Sequence, residues 1–294
     1  MRYAVIAPTA AGTTADPAWI SAWTRHVEQC GFDEVVVVEH SVVVSRYTSV
    51  YPYDPSGQME LADDCPIPDP LDLLAFLAGQ TTTLGLATGV LVLPNHHPVV
   101  LAKRAATLDV LSGGRLRLCV GMGWMKEEIE ACGVAFETRG RRADEQLQVL
   151  RALWAGAGEQ GVEHHGEFFD LTGAMSYPRP LRPDGIPVHV GGHSKAAARR
   201  AGRYGDGLQP LGVAGEELKA LVALMREEAE RAGRDPTPLE LSLGHLVTRV
   251  DRDRAERLAA LGADRIVLAA SATADVEAAK DELTACAERL GILP

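Results

Sequence analysis

Histidines, glycines and one carboxylate gather at a few places along the chain, and each place suits a particular chemistry. His40 follows Glu39, and an imidazole that titrates near neutrality is the natural general acid/base. Its plain alternative is a structural histidine held by hydrogen bonds. Gly191-Gly192-His193-Ser194-Lys195 follows an apolar run and opens a helical one. Glycines there admit close approach to the backbone, and free N–H groups at a helix start suit a phosphate. Ser194 is equally a natural N-cap, so both readings stand. The same stretch nearly matches the G-x-S-x-G elbow of serine hydrolases, but its last position is Ala196. Gly121-Met122-Gly123 is half a dinucleotide fingerprint whose third glycine position holds Lys126; a tight strand-to-helix turn would explain it too. Gly89, inside a β-branched run, marks a bulge or the close approach of a ligand. His96-His97 and His164-His165 are adjacent pairs that share no face, and H-E-x-x-H is missing, so no metal is expected.

These residues need elements that bring them together. Strand-length apolar runs at 3–7, 34–39, 84–93, 116–120, 187–190, 207–211, 239–247 and 265–270 read as strands buried on both faces. Helical patterns at 17–30, 72–80, 98–111, 138–153, 195–204, 216–232, 252–261 and 273–290 alternate with them. Eight of each is the count of a (β/α)8 TIM barrel, whose active site lies where the strands end. That rule selects Glu39-His40, the stretch from Thr88 to His97, Gly121 to Trp124, and Gly191 to Ser194. Two stretches break the rhythm. Residues 41–70, with Tyr47, Tyr51 and Tyr53, read as an ordered lid after the second strand. Residues 155–185 are an insertion between the fourth and fifth strands. Neither has a tether's composition, so residues 1–294 are expected to form one domain.

Composition narrows the class. The chain has 294 residues, 29 basic against 40 acidic, for a net charge of −11, and no basic stripe that would favour nucleic acid. The five cysteines (Cys30, Cys65, Cys119, Cys132, Cys286) include no CxxC and argue against a disulfide framework or structural zinc. No apolar run approaches a signal-peptide core or a membrane span. A cytoplasmic location is the expectation.

Several motifs in order resemble the bacterial luciferase-like monooxygenase superfamily. They are Thr88-Gly89-Val90-Leu91-Val92-Leu93-Pro94, Pro98 to Lys103, Leu111-Ser112-Gly113-Gly114-Arg115-Leu116, Gly121 to Trp124, Arg139 to Glu145, Leu150 to Trp154 and Val190 to Ser194. The likeness fades after about Leu211. Tyr51 to Gly57 and Ile67 to Pro70 resemble its F-420-dependent oxidoreductase branch. The resemblance implies coenzyme F-420, or alternatively FMN, at the strand C-termini of the barrel. It implies a third-strand bulge at Gly89-Val90, often with a non-prolyl cis peptide, and a cofactor phosphate at Gly191, Gly192, His193 and Ser194. Gly121 and Gly123 belong to the same cofactor site. Glu39-His40 matches a pair that contacts the ring, with His40 as acid/base. Tyr47, Tyr51, Tyr53 and Trp124 are candidates for a substrate wall on aromatic character. The glucose-6-phosphate dehydrogenases of this branch carry a catalytic glutamate where this chain has Trp124, so sugar-phosphate chemistry is not expected. The implied function is hydride transfer to or from a small organic substrate, in a homodimer. A flavin monooxygenase, a serine hydrolase and a non-catalytic cofactor-binding barrel are the alternatives.

Overall fold

A computed structural model describes residues 1–293. The chain runs β1 (Arg2–Ile6), α1 (Pro17–Gln29), β2 (Glu34–Val37), α2 (Pro70–Ala78), β3 (Gly85–Thr88), β4 (Leu91–Val92) and α3 (Pro98–Leu111). It continues through β5 (Leu116–Gly121), α4 (Lys126–Ala131), α5 (Arg139–Ala155), β6 (Val162–His165), β7 (Asp170–Ala174), β8 (Val188–Gly191) and α6 (Lys195–Tyr204). It ends with β9 (Gly207–Gln209), α7 (Gly215–Arg231), β10 (Glu240–Leu246), α8 (Arg252–Ala260), β11 (Arg265–Ala269) and α9 (Val276–Leu290). β3 and β4 are two halves of one strand, so the parallel sheet has eight staves, and β3 pairing β5 closes it (Leu86 opposite Leu116). This is the expected (β/α)8 barrel. No helix among the described residues is long and apolar enough to cross a membrane.

Inside the barrel lies a small apolar plug of Ala4, Val36, Ala87 and Val267, while Leu, Val and Trp side chains fill the space between strands and helices. Below the plug, at the strand N-termini, Glu34, Arg117, His189 and Arg265 are all buried. Above it the barrel opens. Between β3 and β4 the Gly89-Val90 peptide is cis, at the position expected for the bulge. Thr88 covers the break: its hydroxyl donates to Cys119 O (2.9 Å) and accepts from Cys119 N–H (3.0 Å), replacing ladder bonds.

Elements depart from the sequence expectation where capping outweighs periodicity. The helix expected at 72–80 starts at Pro70 and ends at Ala78, because Asp69 caps it by accepting from the Leu71 and Asp72 N–H groups. The last helix starts at Val276, not 273, under an Asp275 cap. α4 has no counterpart in the sequence reading. The insertion at 155–185 holds the antiparallel hairpin β6–β7 and a cis Tyr177-Pro178 bond.

Candidate active site at the C-terminal mouth

The strand C-termini surround a cavity of about 990 Å³. Of the residues singled out in the sequence, Glu39, His40, Tyr51, Tyr53, Gly89, Val90, Gly121, Gly123, Trp124 and Gly191 to Ser194 all line it. Tyr47 does not. It stands behind Trp124 (ring centroids 5.3 Å apart), and its hydroxyl accepts the Met59 N–H (3.0 Å), so its role is to support the wall.

The floor is built around Val90. A Cβ on Gly121 would lie 2.6 Å from one Val90 methyl, and a Cβ on Gly191 would lie 2.5 Å from the other. A Cβ on Gly89 would lie 2.3 Å from Val36 Cγ1. These three positions therefore exclude any side chain.

On one wall, His40 Nδ1 lies 2.9 Å from Glu128 Oε2, with Glu128 only 2% exposed. A carboxylate only accepts, so Nδ1 carries the proton and Nε2 is left to exchange one with a substrate. Glu128 Oε1 in turn accepts from Ser41 N–H (2.6 Å) and Asn95 Nδ2 (3.3 Å). Glu39 reaches the cavity, but its oxygens are engaged: Oε2 accepts the Val92 N–H (2.5 Å) and Oε1 accepts from His96 Nε2 (2.7 Å). It thereby pins β4 after the break. His97, the other member of that pair, packs its ring edge-on to Phe169 at 5.4 Å.

The long loop after β2 folds over this wall. Glu127 anchors it, accepting from Thr48 N–H (2.6 Å), Thr48 Oγ1 (3.0 Å), Ser49 N–H (3.3 Å) and Ser49 Oγ (2.7 Å). Burial opposes ionisation of Glu127, but the Thr48 N–H and the Ser49 hydroxyl outweigh it and hold the carboxyl at about 2. Beyond the anchor, Tyr51 packs on Trp124 (5.1 Å) and Tyr53 on His193 (5.6 Å). Burial, then the Asp54 charge, push the Tyr51 phenol up, so it stays a neutral donor.

At the far end, Ser194 Oγ accepts the Ala197 N–H (3.1 Å), so the N-cap reading is realised. The cap leaves other N–H groups of the first turn of α6 free toward Gly192, His193 and Ala196, which line the cavity. Arg139 also lines it, donating to Phe136 O (2.9 Å) with no carboxylate partner among the described residues. Arg200, by contrast, is tied to Asp144 and Gly140 O. His193 Nδ1 and Gln209 Oε1 are buried without a partner among the described residues. Arg139 also stacks on the Phe136 ring, 3.6 Å from its centroid. Orphaned polar atoms, a floor that admits no Cβ and a cation with no carboxylate partner suit a planar, polar, phosphate-bearing ligand.

Sequence reasoning missed Glu128, Arg139 and Gln209, and it selected Asn95 and His96 only as part of the stretch from Thr88 to His97, without a role. Gln209 ends a strand and could have been found by the same rule as His40. Arg139 stood in a quoted motif. Glu128 gave no local signal, because α4 is only six residues long.

Among known proteins, a family model described as luciferase-like monooxygenase matches residues 1–290, well past Leu211, where the motifs fade. An uncharacterized protein of Mycobacterium tuberculosis is 36% identical over 217 residues, covering 74% of this chain and 73% of the relative. The F-420-dependent glucose-6-phosphate dehydrogenase of Segniliparus rotundus is 31% identical over 227 residues, covering 75% of this chain and 61% of the relative. An F-420-dependent secondary alcohol dehydrogenase, solved with an F-420–acetone adduct, superposes with a TM-score of 0.77 at 18% identity, over 100% of this chain and 99% of that one. That last likeness is one of fold.

Proposed function

The chain belongs to the luciferase-like monooxygenase family, and on that premise we propose that it is an F-420-dependent oxidoreductase that moves a hydride to or from a small organic substrate. The observation that carries this reading is the His40–Glu128 pair beside a floor whose glycines, Gly89, Gly121 and Gly191, admit no Cβ. The dehydrogenase relative supports F-420 over FMN. Gly89, Val90, Gly121 and Gly191 would hold the ring, while the α6 N-terminus, Ser194 and Arg139 would hold the phosphate. When bound, the deazaflavin supplies a two-electron hydride carrier that does not readily activate dioxygen.

The chain's own residues do the rest. Glu128 fixes the His40 tautomer, and His40 Nε2 gives or takes the substrate proton. Trp124, Tyr51 and Tyr53 offer an apolar wall, and the anchored loop keeps water from the reacting atoms. With Trp124 in place of an acid, the wall suits an apolar alcohol or carbonyl better than a sugar phosphate.

The test is a fluorescence titration with F-420 and, separately, with FMN. Selective binding of F-420, weakened by about tenfold in Arg139→Ala through loss of one charge-assisted contact, is expected. Selective binding of FMN would instead favour a monooxygenase, and binding of neither would overturn the proposal.

A further inference from the structure

At the opposite, N-terminal mouth of the barrel lies a second cavity, of about 450 Å³. Eight of its thirteen lining residues are charged. The strand starts contribute Arg2, Glu34, Arg117, Glu240 and Arg265, and the flanking loops contribute Asp33, Arg115 and Arg182. Five guanidinium groups thus face three carboxylates, a surplus of two positive charges in a chain whose net charge is −11. His189 adds no charge to this count, since burial holds its pKa down.

The carboxylates are already satisfied. Glu34 takes Arg117 on both oxygens and Arg265 at 3.3 Å. Glu240 takes Arg2 on one oxygen, and Arg265 (3.1 Å) and His189 (3.4 Å) on the other. Asp33 accepts the Tyr3 N–H at 2.7 Å. The donors are not. Arg117 is 4% exposed, yet its Nη1 has no partner among the described residues. Arg115, by contrast, has all five N–H groups engaged, by Thr81 Oγ1 and the carbonyls of Ala78, Thr81, Leu84 and Ser112, so it contributes charge and no free donor. Arg182 donates only to Gly114 O (2.7 Å). A guanidinium buried with an unused N–H carries a desolvation cost that an oxyanion would relieve.

We propose that this mouth is a binding site for a doubly charged tetrahedral oxyanion, inorganic phosphate or the phosphoryl group of a small metabolite, held by Arg117 and Arg182 beside the charge of Arg115. The site is independent of the cofactor reading, because the apolar plug of Ala4, Val36, Ala87 and Val267 separates it from the other mouth. Its place among the strand starts gives it a means of stabilising the barrel when phosphate is present.

Calorimetric titration of the full chain with inorganic phosphate, at ionic strength held constant with sodium chloride, tests it. Saturable binding is expected, weakened by about tenfold in Arg182→Glu through one lost charge-assisted bond and one added repulsion. Arg182 is exposed, and the thermal midpoint in chloride verifies that the variant folds. Arg226→Glu makes the same charge change on α7, outside the cavity, and should bind phosphate like the parent. Three results overturn the proposal: heats no larger than dilution into chloride, equal weakening in both variants, or loss of binding in Arg139→Ala instead, which would place the phosphate at the C-terminal mouth.

Discussion

Gly191→Ala is a direct test of how the cavity floor is built. Gly191 does not adopt a positive φ, so an alanine there meets no backbone penalty, and its whole effect comes from space. The new methyl would lie 2.5 Å from Val90 Cγ1, where carbon atoms rest at about 3.5–4.0 Å. Val90 must therefore give by about 1 Å, and it is poorly placed to do so. Its χ1 is stiff, and its other methyl already occupies the space that a Cβ on Gly121 would need. Overpacking of this kind costs about 1–3 kcal/mol. For a chain of this length, each kcal/mol lowers the thermal midpoint by about 2 °C, so a fall of about 2–6 °C is expected by calorimetry. Val90→Ala removes both methyls, and in the double variant most of the loss should return as an interaction free energy of about 1–2 kcal/mol. A single variant that melts like the parent would mean the floor has slack. A loss undiminished by Val90→Ala would mean that Val90 is not what the new methyl meets, since its next neighbour, the Val120 carbonyl at 3.5 Å, is at ordinary contact distance. Either result refutes the account of why glycine stands at these positions.

Two further outcomes follow from the carboxylates of α4. In Glu128→Gln the neutral amide no longer compels His40 to keep its proton on Nδ1, at a stability cost of roughly 1–2 kcal/mol; ring ¹⁵N shifts should show the other tautomer populated and turnover reduced while F-420 still binds, and an unchanged Nδ1–H form would count against the dyad. Glu127 titrates at about 2 instead of its ordinary 4.5, so its hold on Thr48 and Ser49 is complete above that ordinary value and is lost as pH falls toward about 2. Limited proteolysis within residues 41–69 should therefore quicken below about pH 4.5, while in Glu127→Gln it should be fast already at neutral pH and flat across that window; a flat profile in the parent would show that the anchor is not what docks the loop.

How much of this was legible beforehand depends on how far each determinant travels along the chain. The staves were legible because a strand buried on both faces is a local run of Val, Ile and Leu, and 35–37 and 266–268 are such runs, each behind a charged first residue. The start of α2 was written locally too, in Asp69-Pro70, but a cap occupies two residues and periodicity, read over a longer window, hid it. Gly89 was legible for a related reason: a residue without Cβ between Thr88 and Val90 has to serve a break in the strand. Once the staves were placed, the rule that barrel chemistry sits at strand ends recovered the lining contributed by the ends of β2, β4, β5 and β8, while the ends of β9, β10 and β11, which add Gln209, Gly244 to Leu246 and Ala269, were not singled out. It could not recover what stands behind them. Glu128 meets His40 across 88 positions, Glu127 meets Thr48 across 79, and His96 meets Glu39 across 57. None of these carboxylates or imidazoles looks different in sequence from a solvated surface residue, because what buries and pairs them is the closing of the barrel. Tyr47 erred in the other direction, its aromatic character matching that of its neighbours while its hydroxyl was already bound to Met59. The strand-end residues of such a site can therefore be read along the chain, whereas the groups that set a proton's position or a loop's docking exist only in three dimensions.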